Sequence, residues 1–273
     1  MVTTKNIWLF FTICFYSSLL HAESIINVNI LADDSYPPYS YVENGRLTGI
    51  YVDILKGAVK LIPKRYKVTV SAIPWKRGLK KIKSGQSFAI IPPYKRPKER
   101  PYIWPYSKAL LTEHVVAFCD KGIQLEQYIQ AFKQADFKPI TIGVNAGYII
   151  LSRDFIQAKK AGNIVISENK STHSNILKLY SKRIDCYVND RASTLWELSR
   201  ASVKSSVHFD DIYEALLIMS QTAHIGYSNS KNTDFYYKED FIKSMDIALE
   251  TFLASDEFHQ IINRYTVKVD NGF

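Results

Sequence analysis

The sequence predicts an α/β protein of two doubly wound lobes with a hinged cleft between them, and three observations carry this. Short runs of branched apolar residues alternate with segments of helical period. The alternation occurs twice, over residues 25–110 and again over 114–201, with helices left over at the end. No low-complexity linker separates the two passes. Such alternation implies mostly parallel sheets with helices on both faces, and 273 residues suffice for two lobes that each bury a core. Ligands bind open α/β sheets at the carboxyl ends of their strands, so two facing sheets make a cleft that closes by a hinge.

Residues 1–22 read as a secretory signal peptide cleaved near Ala22. Lys5 precedes an apolar stretch from Ile7 to Tyr16, and a small residue stands before Glu23. The apolar run is shorter than the roughly 20 residues a spanning helix needs. The mature chain is therefore expected to be exported to the periplasm as a soluble protein.

Strands are predicted at 25–31, 67–73, 88–91, 114–119, 140–144, 164–167, 185–188 and 224–228, each a short branched or aromatic run. The first helix is expected to start at a Thr48 cap and to end at Pro63, because Ile50, Ile54, Leu55, Ala58, Val59 and Ile62 recur at helical spacing. A second helix runs from Trp75 to Ser84, where Gly85 stops it. Later helices are expected near 149–160, 173–183, 190–201, 238–254 and 256–264.

Of three cysteines, Cys14 leaves with the signal, and Cys119 and Cys186 remain. Export permits a disulfide between them without requiring one. The formal charge is +9, and the excess is local: Lys56 to Lys108 holds fifteen basic residues against the single acid Glu99. A solvated face is the simplest reading of that run, with an anionic membrane surface, an acidic partner protein or a negative ligand as the others. The basic residues are spread over helix, strand and loop signals without a binding motif, so no nucleic-acid partner is expected.

Nothing in the sequence marks an enzyme. His114, His173, His208, His224 and His259 include no pair at the spacing of a helical zinc site. A G-x-S-x-G elbow and a phosphate-binding glycine loop are both missing. Cys119 and Cys186 fall in predicted strands, where a small apolar role outweighs nucleophilic attack. No catalytic residue, metal or cofactor is therefore expected.

Binding signals are stronger. The first strand runs into "ADDSYPPYSY", where Asp33 meets a turn stiffened by Pro37 and Pro38, so that Tyr36 and Tyr39 would face a ligand at little ordering cost. Covering a core edge is the other job such tyrosines do. "IPWKRG" places Trp75 and Arg77 at a strand-to-helix passage, where a sheet-top site draws its contacts. "KERPYIWPYS" holds Arg100 before two prolines and a run of aromatic residues.

The order and spacing of "YPPYSYVENGRLTGIYVDIL", "PWKRGLKKIKSG", Arg100 ahead of Tyr106 and Ser107, and "RIDCYVND" resemble the bacterial extracytoplasmic solute-binding proteins of family 3 over residues 25–266. The resemblance implies the type II periplasmic binding protein architecture, with two crossings that divide the chain into a first lobe of 23–112 and 221–273 and a second lobe of 113–220, and a monomer serving an inner-membrane ABC transporter or a sensor. It puts Arg100 where the family grips a ligand carboxylate, Asp190 where the second lobe meets the amino group, and Asp33 near the ligand side chain. Tyr36, Tyr39 and Trp75 match the aromatic walls. A guanidinium pairs with a carboxylate through two parallel hydrogen bonds, which suits the first role, whereas Asp190 is equally suited to cap the helix that begins at Arg191.

Three departures stand out. Pro92, Pro93 and Lys95 replace small hydroxyl residues ahead of the arginine, Phe88 replaces an aspartate, and "GVNAGY" ends on Tyr148 where a threonine or serine often follows the glycine. The expected function is capture of a small carboxylated or zwitterionic ligand. A dehydratase or lyase on the same scaffold and an envelope-binding module are the alternatives.

Overall fold

The computed structural model describes residues 24–129, 138–205 and 210–270. The predicted signal peptide and His208 lie outside them. From the N-terminus, β1 (Ile26–Asp33) leads into a small sheet of β2 (Ser35–Tyr36), β3 (Ser40–Glu43) and β4 (Arg46–Thr48), then α1 (Ile50–Val59). β5 (Tyr66–Ile73), α2 (Trp75–Ser84), β6 (Ala89–Ile91) and β7 (Ile103–Tyr106) complete the first pass. The second pass comprises β8 (Thr112–Asp120), α3 (Leu125–Tyr128), β9 (Ile140–Asn145), α4 (Arg153–Ala161), β10 (Ile164–Asn169), α5 (Thr172–Tyr180), β11 (Cys186–Asp190), α6 (Arg191–Ser205) and β12 (Ile212–Thr222). β13 (Gly226–Ser228) returns to the first sheet, followed by α7 (Lys238–Leu253) and α8 (Asp256–Asp270).

Two five-stranded sheets result, ordered β5-β1-β6-β13-β7 and β10-β9-β11-β8-β12. The chain passes between them after β7 and again after β12, and the two crossings are hydrogen-bonded to each other: Leu110 N–H donates to Ala223 O and Ala223 N–H to Leu111 O, both at 2.9 Å. The sheets are mixed rather than mostly parallel. β1 pairs in parallel with β5 and β6, and β9 with β10 and β11, whereas β13 and β8 run antiparallel to both of their neighbours. The antiparallel members flank the crossings, where the chain enters a sheet directly and not through the helix that a parallel connection requires.

Where the local structure departs from the sequence pattern, the cause is visible. Thr48 does not cap α1; its hydroxyl lies 3.3 Å from the Tyr265 hydroxyl. Gly49 caps it instead, at φ 120°, with its backbone so close to Tyr39 that an added Cβ would lie 2.4 Å from the Tyr39 carbonyl oxygen. The helix closes at Lys60, before Pro63 is reached. Pro105 lies inside β7, which is tolerated because β7 is an edge strand. β12 has no counterpart among the predicted strands. Its register slips between Glu214 and Leu216 and again between Leu217 and Met219, and each bulge moves the side chains to the other face and erases the period-2 signal.

Two main cores support this frame. One packs Ile30, Ile54 and Leu55 against Phe241, Leu249 and Phe252 of α7, and the other gathers Val115, Ile142, Phe155 and Val188 around the second sheet. The C-terminal helices also offset the basic run: Lys60 pairs with Glu257 at 3.0 Å, and Arg65 and Lys108 pair with Asp240 and Glu250 at 2.5 Å. These pairs are largely exposed and add little to stability.

Cys119 and Cys186 face each other across β8 and β11 and form a disulfide. The sequence left the pair open because two strands 67 residues apart become neighbours only through the sheet. Closing a loop of that length restricts the unfolded chain, so replacing both cysteines by alanine is expected to cost about 2–4 kcal/mol. Thermal unfolding of the double variant against wild type measures this; equal midpoints would show that the bridge adds nothing.

Candidate functional site

A cavity lies between the two sheets, lined by Asp33, Tyr36, Trp75, Pro92, Tyr94, Arg96, Arg100, Tyr148, Ile149 and Ile150. Asp33 ends β1, Trp75 follows β5 and opens α2, Pro92 follows β6, and Tyr148 follows β9. The cavity therefore sits at the carboxyl ends of strands from both sheets, where open α/β sheets place their ligands.

Arg100 is only 5% exposed. A turn holds its backbone, with Arg100 N–H donating to Arg96 O at 2.8 Å and Ile103 N–H to Arg100 O at 3.0 Å. One Nη2–H donates to Gly147 O across the cavity at 2.6 Å, and the guanidinium carbon lies 5.5 Å from the centre of the Trp75 ring. Trp75 is thus the aromatic wall for the cation, while Trp104 is 53% exposed. Burial draws the Arg100 pKa below the ordinary guanidinium value, yet arginine stays charged in proteins. Among the described residues no carboxylate pairs with it. The donors of its planar fork that are not bonded to Gly147 O are therefore left for an anionic ligand.

Asp33 accepts from Ser35 N–H at 3.1 Å and from the Tyr148 hydroxyl at 3.1 Å. Burial pushes its pKa up to about 7 despite these bonds. Tyr36 lines the cavity with its ring while its hydroxyl turns away to Glu113. Glu113, at the start of β8, is 1% exposed and is the common partner of three phenols: Tyr36, Tyr51 and Tyr94, the last at 2.6 Å. Burial, reinforced by the Asp190 charge, raises its pKa to about 8.

Asp33, Tyr36, Trp75 and Arg100 therefore meet around one cavity. Asp190 and Tyr39 do not: they line a separate cavity with Glu113 and His114. Asp190 caps α6 by accepting from Ser193 N–H at 2.8 Å, and its other oxygen takes His114 N–H at 3.2 Å. Burial pushes its pKa up to about 6. Tyr39 stacks on Tyr51 at 5.0 Å. Arg77 is exposed and lines neither cavity. Helical period explains this, because Trp75, Gly78, Leu79 and Ile82 form the buried face of α2 and leave Arg77 on the other side.

Tyr94, Arg96 and Tyr148 belong to the cavity without having been singled out as contacts. Tyr148 carried a signal, as a departure from the family pattern in the second-lobe turn. Glu113 carried none, since a lone acid between apolar runs looks like any surface glutamate. Among the described residues no group of three histidine, cysteine or carboxylate side chains is placed to hold a metal, and no helix is long and apolar enough to cross a membrane. The arrangement gathers a buried cation on an indole face, a carboxyl near neutrality and aromatic walls at a junction of two sheets.

No curated protein matches the sequence. A mutant of ArgBP from T. maritima superposes with a TM-score of 0.65 at 16% identity, covering 88% of this chain and 95% of its own. A histidine kinase sensor domain with similarity to periplasmic binding proteins gives 0.68 at 11% identity, covering 89% and 97%. The ancestral amino acid-binding protein AncCDT-1, a precursor of cyclohexadienyl dehydratase, gives 0.63 at 13% identity, covering 88% and 94%. At such identities these likenesses establish the fold, that of the type II periplasmic binding proteins. The family profile reaches further, matching residues 28–268, and by it the chain belongs to the bacterial extracellular solute-binding proteins, family 3.

Proposed function

We propose that this member of the family captures a small carboxylated or zwitterionic solute, amino-acid-like in size, in the cavity beside Arg100. The carrying observation is the Arg100 guanidinium itself, buried against Trp75 and joined to the protein by one backbone acceptor. A buried cation of this kind is stabilised by an anion that fits its fork. The chain works as a monomer in the periplasm after losing residues 1–22, and it hands its ligand to an inner-membrane ABC transporter or a sensor. The moving units are 23–112 with 221–273 and 113–220, and closure brings Gly147 and Tyr148 onto the first lobe. A ligand favours closure only by its difference in affinity between open and closed forms.

A thermal-shift series with amino acids, short peptides and organic acids tests the reading. At least one carboxylate is expected to raise stability by about 2.7 kcal/mol at a hundredfold excess over its dissociation constant. A flat response across the series would sink it.

One observation favours a second reading, an enzyme on the same scaffold. Asp33, with a pKa of about 7, shares the cavity with Arg100, and a carboxyl poised near neutrality suits general acid or base work on a carboxylated substrate. Following the best-stabilising compound by proton NMR separates the two. Recovery unchanged supports capture, and loss of water or carbon dioxide from it supports a lyase.

A further inference from the structure

We propose that Tyr148 sets the size of ligand this cleft accepts, its phenol occupying the compartment between Trp75, Tyr36 and Asp33 so that only a small carboxylate fits beside Arg100. The inference rests on the reading of the cavity as a carboxylate site and narrows it to compounds of about the size of acetate or glycine.

The turn that carries Tyr148 is anchored from below. Its backbone closes with Tyr148 N–H donating to Asn145 O at 3.0 Å, and Gly147 takes φ 84° at the corner. Asn145 is buried, donates to Thr172 Oγ1 at 3.2 Å, and accepts from Asn175 Nδ2 at 2.9 Å and from the Tyr187 hydroxyl at 3.0 Å. Such a fixed base aims the side chain across the cavity.

There the ring meets Tyr36 edge-on, with centres 5.7 Å apart at 88°, and Trp75 at 6.1 Å and 77°. Both are geometries that aromatic pairs favour. Its hydroxyl donates to Asp33 Oδ2 at 3.1 Å, which occupies an oxygen an ammonium group would otherwise use. What remains open to the centre of a water-sized sphere is about 30 Å³. One water needs roughly 10–15 Å³ on that measure, so the free space holds two or three waters, or a ligand of a few heavy atoms. A long or aromatic side chain would have to expel the phenol and break its contacts with three residues.

Calorimetric titration of the mature protein with acetate, glycine, L-arginine and L-phenylalanine tests this, in wild type, Tyr148→Ser and Tyr148→Phe. Wild type is expected to favour one of the small pair by at least about tenfold over both large compounds, a difference of about 1.4 kcal/mol. Tyr148→Ser should shift that ratio by at least about tenfold toward a large compound, and Tyr148→Phe should keep it. An unchanged ratio in Tyr148→Ser, or wild type binding L-arginine or L-phenylalanine as tightly as glycine, overturns the proposal. A second arm needs no carboxylate: phenol, the side chain itself, is titrated into wild type and Tyr148→Ala, since a ring-sized cavity takes up a ring-sized solute. Uptake confined to Tyr148→Ala supports the compartment; uptake equal in both, or absent from the variant, overturns it. If wild type binds none of the four compounds while phenol enters Tyr148→Ala alone, it is the carboxylate reading that fails and the plug that stands.

Discussion

Arg100→Ala is expected to weaken binding of the best-stabilising carboxylate by about 100-fold or more. A hydrogen bond to a charged group contributes about 1.5–3 kcal/mol, and the guanidinium offers a carboxylate two of them. The loss is enlarged because Trp75, Tyr94 and Tyr148 line the same cavity and reduce the competing water. Arg100→Lys should fall between the two, since an ammonium keeps the charge and loses the planar fork. Folding should suffer less than binding. The variant gives up the bond to Gly147 O but also removes a buried cation that has no carboxylate partner among the described residues. Calorimetry on the three proteins, with thermal unfolding as the control, reads both effects. Retention of affinity to within threefold in Arg100→Ala would remove Arg100 from the site.

Stability is expected to rise as the pH falls from 8 to 5, the reverse of most acid-sensitive proteins. Burial raises the pKa of Glu113 to about 8, that of Asp33 to about 7 and that of Asp190 to about 6. A carboxyl whose folded pKa exceeds its unfolded one binds more protons in the folded state throughout that window. Its contribution is fully present below the unfolded value and is lost as the pH climbs through the folded one. For Glu113, moving from 4.5 to about 8, the linkage amounts to a few kcal/mol, on the order of 1.4 kcal/mol for each pH unit. His224 works the other way: burial lowers its pKa, so protonating it at the acid end costs stability. Urea unfolding at pH 5, 6.5 and 8 measures the balance. Glu113→Gln, which keeps the shape and drops the charge, should flatten at least half of the trend. A wild type more stable at pH 8 than at pH 5 would contradict the buried-carboxyl account.

These expectations also show how far the sequence reaches. Trp75, Asp33 and Tyr36 were legible because each stands at the end of a strand or just after one, and Arg100 because its loop stretch has its own signature; the structure brings all four to one cavity. Asp190 was legible as a helix cap and is one, but its cavity is not that of Arg100. Glu113 could not be found this way. Its partners Tyr36, Tyr51 and Tyr94 lie 77, 62 and 19 residues away, and nothing local distinguishes it from a solvated acid. β12 was missed because two bulges remove the alternation by which strands are recognised.

By itself the sequence determined the α/β class, the two passes of strand and helix, and the arginine with its indole-bearing neighbour stretch, because hydrophobic period and turn chemistry act over a few residues. Tertiary structure decided the mixed direction of the sheets, the Cys119–Cys186 bridge, the gathering of three phenols on Glu113 and the position of Tyr148 across the cleft. Each of these joins residues that lie far apart in the sequence and become neighbours only in the folded chain, and the burial that shifts the buried carboxyls exists only once that chain is packed.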